Sequence, residues 1–279
     1  MTRTHPEKIH TLTGDIRFHS DFHSRFLAHD RDVIVYLPPG YKKTRMKRYP
    51  VLYLHDGQNL FDGATSFIAG RDWQVDETAE HLIEAGEIEP LIIVGIYNTG
   101  FDRVDEYTPT PDDRLKKGGS ADLYGRMLVE ELKPFIDASY RTLEDRQNTG
   151  LGGSSLGGLV SLYLGLKYPH VFSKLAIISP SAWWDHRMII HKVESLAVKP
   201  ELRIWLDIGT AEGEAVKALP PLRDALLDKG WKLDEDLKYF EATDAVHDEL
   251  AWAARVDPVL HFLFPKRKRK KRRWLGSFR

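Results

Sequence analysis

The chain has 279 residues, 42% hydrophobic and 29% charged, enough apolar material for one large α/β body or two small ones, and it has no cysteine. Disulfides, thiolate catalysis and cysteine-based zinc sites are therefore excluded. The net charge of −1 hides an asymmetry: nine of the 40 Lys+Arg lie in residues 266–279, leaving 31 against 41 Asp+Glu, so the body is about −10 and the tail about +9. An acidic body argues against a nucleic-acid-binding surface.

Along the chain, strand-like and helix-like segments alternate, which predicts a mainly parallel sheet covered on both faces. The first 15 residues, polar and without an apolar core, do not read as a signal peptide, and HTLTGDIRFHSDFH, before about residue 30, suggests an antiparallel hairpin at a sheet edge. DVIVYL (32–37) is a strand closed by Pro38-Pro39-Gly40, and VLYLH (51–55) is a buried strand. Residues 74–85 carry Val75, Ala79, Leu82 and Ile83 on one face of a helix, and LIIVGI (91–96) is a strand of the central-sheet type. A long helix is predicted over 121–140, with Pro134 a candidate kink, then a strand over 148–152 and a helix over 156–168 that stops at Pro169. Strands at 174–178 and 202–208, a helix over 215–229 ended by Gly230, a strand at 237–241 and a helix over 249–264, interrupted near Pro258, complete the body.

No internal repeat divides the chain, so residues 1–265 are expected to form a single domain. Residues 266–279, opening with KRKRKKRR, form a basic tail that like-charge repulsion should keep disordered. A solvated tail, or a weak contact of 266–273 with a polyanion, are the two readings of it. No apolar run approaches about 18 residues, so no membrane span is expected. A cytoplasmic location is the default, with an exported form that has lost its leader left open.

The segment Gly153-Ser154-Ser155-Leu156-Gly157 joins a strand to a helix and reads as a nucleophile elbow with Ser155 at its tip. Such a serine needs a base and an acid further along the chain. Of the five histidines after it, only His247 falls in a loop between a late strand and the final helix. His261 lies inside that helix, His170 at a helix end, and His186 and His191 in a polar helical stretch. The acid belongs at the end of strand 202–208: Glu212, in the loop after it, is favoured, with Asp207 and Glu214 as alternatives. The backbone N–H groups of Leu156 and Gln58 are the candidate oxyanion donors, Gly57 allowing close approach.

VIVYLPPGY (33–41), YPVLYLHDGQNLF (49–61), GLGGSSLGG (150–158) and HDELAWAAR (247–255) together resemble the putative-esterase family, which includes siderophore, feruloyl and acetyl esterases, S-formylglutathione hydrolase and mycolyltransferases. The resemblance covers residues 10–264. It implies an α/β-hydrolase fold without a large cap, and ester hydrolysis that needs neither cofactor nor metal. Ser155, Glu212 and His247 would be nucleophile, acid and base, with a small-molecule or carbohydrate ester as substrate. Trp73 and Asn98 lie in segments that match the family's pattern and are candidate substrate contacts, and Trp183 and Trp184 follow a strand end where rings could stack on an acyl group or sugar or fill core under a loop. Arg103 and Glu106 are expected to pair with each other and shape the loop after strand 91–96. The alternatives are acyl transfer to an acceptor other than water, and a non-catalytic binding module on the same scaffold. Oligomeric state is not readable from the sequence.

Overall fold

The computed structural model describes residues 10–266. The tail from 267 onward, with its expected disorder and polyanion contact, lies outside the described residues.

An eight-stranded sheet runs through the whole body. β1 (Asp15–Phe22) and β2 (Arg31–Leu37) form the antiparallel edge hairpin read from the sequence, and β2 runs antiparallel to β4 (Ile92–Ile96). The other strands are parallel: β4 to β3 (Val51–His55), β3 to β7 (Thr149–Ser154), then β8 (Lys174–Ile178), β9 (Arg203–Gly209) and β10 (Leu237–Ala242). The order β1-β2-β4-β3-β7-β8-β9-β10 is that of an α/β-hydrolase sheet. A two-stranded hairpin of β5 (Pro111–Asp112) and β6 (Lys117–Gly118) stands apart from it.

Alternation along the strands feeds two cores. Val33, Val35, Val51, Tyr53, Ile92 and Val94 face one side, and Ile34, Tyr36, Leu52, Leu54 and Ile93 face the other. The second face is covered by α1 (Val75–Ala85) and α8 (Glu249–Leu263), which contribute Ala79, Leu82, Trp252, Val256 and Leu260. The first face is covered by α3 (Ala121–Arg126) with α4 (Lys133–Ser139), and by α5 (Leu156–Lys167), α6 (Trp184–Glu194) and α7 (Leu219–Asp228). Residues 156–166 of α5 are all buried, so this helix is apolar all round instead of amphipathic. A short helix, α2 (Arg103–Glu106), follows β4.

Three details differ from expectation. Between α3 and α4 lies a π-helical stretch, Met127–Leu132, just ahead of Pro134: the wider turn accommodates a residue that has no N–H and crowds the preceding turn. The helix expected over 215–229 begins as a 3₁₀ turn, Gly213–Ala218, and becomes α-helical at Leu219, because Pro220 and Pro221 fit only a first turn. The last helix is not interrupted: α8 runs through Pro258, held by Val256, Val259, Leu260 and Leu263 in the core.

Candidate active site

The centre of the site is the β7–α5 junction. Ser155 has φ 58° and ψ −123°, a conformation costly for a residue with a Cβ. A methyl on Gly153 would lie 3.1 Å from the Gly157 carbonyl carbon and 3.1 Å from His55 Cβ, and one on Gly157 would lie 3.3 Å from that Cβ. The glycines flank the serine because the turn leaves them no room. The turn is pinned on both sides: the Ser155 N–H donates to Ile178 O at 3.1 Å, and the Ser155 carbonyl accepts from the Ser181 N–H at 3.0 Å. The Ser155 hydroxyl lies 3.4 Å from the Ser181 hydroxyl.

β3 ends beside β7, with Leu54 opposite Gly152, so the loop after β3 reaches the elbow. Asp56 there is left-handed (φ 58°) and starts a 3₁₀ turn, Gly57–Asn59. A methyl on Gly57 would sit 2.6 Å from the Gly95 carbonyl carbon and 2.8 Å from the Ile96 nitrogen, so the loop rests directly on the β4 backbone. The Gln58 and Leu156 N–H groups have no acceptor among the described residues, as expected for a first helical position and a tight turn.

Asp56 accepts from Arg103 Nε and Nη2, each at 2.8 Å, and from Asn98 Nδ2 at 2.7 Å. Burial pushes the Asp56 carboxyl up, but Arg103 and Asn98 outweigh it and hold it below its usual value. The expected Arg103–Glu106 pair is absent. Glu106 instead takes both Arg31 guanidinium nitrogens, at 2.8 and 2.9 Å, in the buried layer below.

On the facing side, Glu212 stands just past β9, its side chain fully buried. Its Oε2 meets His247 Nδ1 at 2.6 Å, and its Oε1 accepts from the Ser179 hydroxyl at 2.6 Å and the Gly209 N–H at 2.7 Å. Burial raises the carboxyl, and these three hydrogen bonds overcome it, so Glu212 stays below its ordinary value. An ionised Glu212 fixes the His247 proton on Nδ1 and leaves Nε2 as acceptor. Trp252 packs edge-on against the imidazole at 4.9 Å and donates its N–H to Ser179 Oγ at 3.2 Å.

Asp207 has other partners. It binds Trp205 Nε1 at 2.6 Å and Arg255 Nη1 at 2.7 Å, all in the buried interior. Glu214 is exposed and pairs with Lys217 at 2.8 Å. His261 sits at the surface between Asp257 and Glu87, and His191 pairs with Glu194.

Ser155, His247, Gln58 and Asn98 line one cavity of ≈ 380 Å³, with Arg103, Phe67, Ile68, Glu249 and Trp252. The three tryptophans expected to touch substrate lie off it. Trp73 is buried against Trp252, ring centroids 5.6 Å apart, and supports the wall from behind. Trp184 is a core residue whose N–H donates to Thr110 O at 2.9 Å. Trp183 is exposed outside the cavity. Asp185, His186 and Arg187, just after the doublet, all take left-handed angles. Sequence reasoning missed Asp56, Glu249, Trp252, Phe67 and Ile68. Glu249 and Trp252 lie within the HDELAWAAR segment, a signal that was available, whereas nothing local marks Phe67 or Ile68.

Among the described residues no helix is long and apolar enough to cross a membrane. Residues 24–263 match the family model described as Putative esterase. The chain is 29% identical over 257 residues to the uncharacterized protein YbbA of Bacillus subtilis, covering 87% of this chain and 96% of that one. It is 27% identical over 239 residues to an endo-1,4-beta-xylanase/feruloyl esterase of Xylanibacter ruminicola, covering 82% of this chain and 29% of that one. The enterochelin esterase of Shigella flexneri shares the fold, with a TM-score of 0.73 at 22% identity over 91% of this chain and 59% of the other. With the family model spanning nearly the whole sheet, this chain belongs to the putative-esterase family and is a carboxylic ester hydrolase.

Proposed function

We propose that the protein hydrolyses carboxylic esters through an acyl-enzyme on Ser155. The supporting observation is the Glu212–His247 contact of 2.6 Å, on the wall of a cavity that also contains the strained Ser155. His247 Nε2 takes the Ser155 proton as Oγ attacks the ester carbonyl. The N–H groups of Leu156 and Gln58 hold the oxyanion, and the imidazolium, steadied by Glu212, returns the proton to the departing alkoxide. Water repeats the sequence on the acyl-enzyme, releasing the acid. Glu212, not Asp207, orients the base, since Asp207 is committed to Arg255 and Trp205.

Phe67 and Ile68, exposed at the cavity rim, offer an apolar surface for an acyl or aromatic group. This fits the esters named for the feruloyl and enterochelin esterase relatives better than a short acyl group alone. Ser155→Ala is expected to lower kcat on p-nitrophenyl acetate by about 10³-fold or more with an unchanged Tm, and His247→Ala to do the same, the double variant being scarcely worse. Full turnover by pure Ser155→Ala protein would sink this reading.

A further inference from the structure

Two carboxylates, Asp56 and Glu249, border the cavity. Asp56 is saturated by Arg103 and Asn98. Glu249 is not. It lines the cavity with Ser155 and His247 and is only 6% exposed. Among the described residues no other residue donates a hydrogen bond to it or forms an ion pair with it; only its own N–H reaches the carboxylate. Its position at the start of α8 does not explain it, because Asp248 already caps that helix, accepting the Ala251 N–H at 2.9 Å. Arg103 feels its charge, but both guanidinium nitrogens in use bind Asp56. Burial, and the charges of Asp248 and Asp56, hold the Glu249 carboxyl above its ordinary value. A carboxylate that faces the cavity with so little exposure and no donor from another residue gains free energy when a partner reaches it. The open side of Glu249 is the cavity, so that partner arrives with the substrate.

Building on the esterase reading of Ser155, we propose that Glu249 is a specificity residue: it accepts a hydrogen bond from a hydroxyl or ammonium group on the ester substrate and turns away a substrate with a carboxylate at the same place. A site built around a hydrogen-bond donor rejects an analogue lacking it, because its own polar group is then left bare.

The test uses four acetates of near-equal shape: 4-methylphenyl, 4-hydroxymethylphenyl, 4-aminomethylphenyl and 4-carboxyphenyl. A mirror set of methyl 3-arylpropionates with the same substituents places the group on the acyl side. Each kcat/KM is divided by that of the methyl compound, and the quotient for Glu249→Ala or Glu249→Gln by that of the parent protein, which cancels leaving-group chemistry. In at least one set, Glu249→Ala is expected to lower the hydroxymethyl and aminomethyl quotients about tenfold or more and to raise the carboxy quotient. In Glu249→Gln the amide oxygen still accepts a hydroxyl, so the hydroxymethyl quotient should hold within about threefold while the aminomethyl quotient falls. A fall in the aminomethyl arm alone identifies the donor as an ammonium; a fall in both arms with alanine admits a hydroxyl. Flat quotients in both sets, from folded variants whose turnover disappears with Ser155→Ala, would overturn this inference alone. Turnover that survives Ser155→Ala would overturn the esterase reading and this inference with it.

Discussion

The two walls of the cavity are made of different material. The elbow wall is backbone: Ser155 held at positive φ, with Gly57 and Gly153 packed against neighbouring main chain and Gly157 against the His55 side chain. The facing wall is side chain: His247 and Trp252 line it, and behind them Ser179, Glu212, Asp207 and Arg255 complete a set of hydrogen bonds that spans up to 73 residues of sequence. In the backbone wall, geometry and chemistry are one thing, and a single methyl group disturbs both. In the side-chain wall the two roles have been divided between neighbours.

The sharpest test of that division compares its two acids. Glu212→Gln keeps the shape but removes the charge that fixes the His247 tautomer, so kcat should fall by about 10²- to 10⁴-fold, a larger effect than the accompanying loss of Tm from a carboxyl that the fold favours in its charged form. Asp207→Asn should do the reverse. It takes from the Arg255 guanidinium, 2% exposed, its nearer counter-charge and leaves it only Glu212 at 3.7 Å, a loss of up to about 3–5 kcal/mol, while folded molecules keep most of their turnover. Chemical denaturation and steady-state kinetics on the same samples read both effects. If Asp207→Asn proves the more damaging to kcat, the roles have been assigned to the wrong acids.

On the backbone wall, rate and stability should fall together. Gly57→Ala would press a methyl to 2.6 Å from the Gly95 carbonyl carbon, and main chain on both sides has nowhere to go. The expected cost is about 1–3 kcal/mol from overpacking, seen as a Tm lower by several degrees. Because the Gln58 N–H moves with the turn, kcat should drop as well. A variant of normal kcat and lowered Tm would mean that Gln58 is not an oxyanion donor.

The same contrast explains what the sequence revealed. The elbow was legible because its cause is local: five consecutive residues contain both the strain and the glycines that permit it. The strands were legible because continuous apolar runs such as VIVYL and LIIVGI mark strands buried on both faces. Asn98, singled out by its position after a strand, lines the cavity. Side-chain partners were not legible. Arg103 and Glu106 stand three apart on a helix and invite pairing, yet their partners are Asp56 and Arg31, 47 and 75 residues away. Only the packed sheet brings those residues together. The tryptophan doublet failed for a related reason, since residue order does not say which ring the next turn carries inward. The uninterrupted α8 shows tertiary packing overriding a local helix breaker.

His55 joins the two walls and allows a smaller test. Its Cβ lies under the elbow glycines, and its Nδ1 contacts the Tyr124 hydroxyl at 2.8 Å. Burial pushes the imidazole down to about 3, Asp56 opposing the shift and Arg103 and Arg31 adding to it. An unfolded histidine titrates near 6.5. Below that pH the unfolded chain binds a proton that the folded chain refuses. The stability due to neutral His55 is therefore fully present above about pH 6.5 and drains away as pH falls toward 3, at about 1.4 kcal/mol per pH unit. Asp56 and Glu212, whose carboxyls are held low, lose their contributions only at lower pH, below the ordinary carboxylate range. In the window from pH 6.5 to 5 Asp207, held up to about 6, and the shifted His19 and His261 also change stability, and comparison with a variant that lacks only His55 cancels them. Urea unfolding of the parent protein and of His55→Phe at several pH values in that window should give a stability difference that shifts in the variant's favour as pH falls. Parallel curves would mean that His55 takes up its proton in the folded state, and that the layer beneath the elbow opens to water.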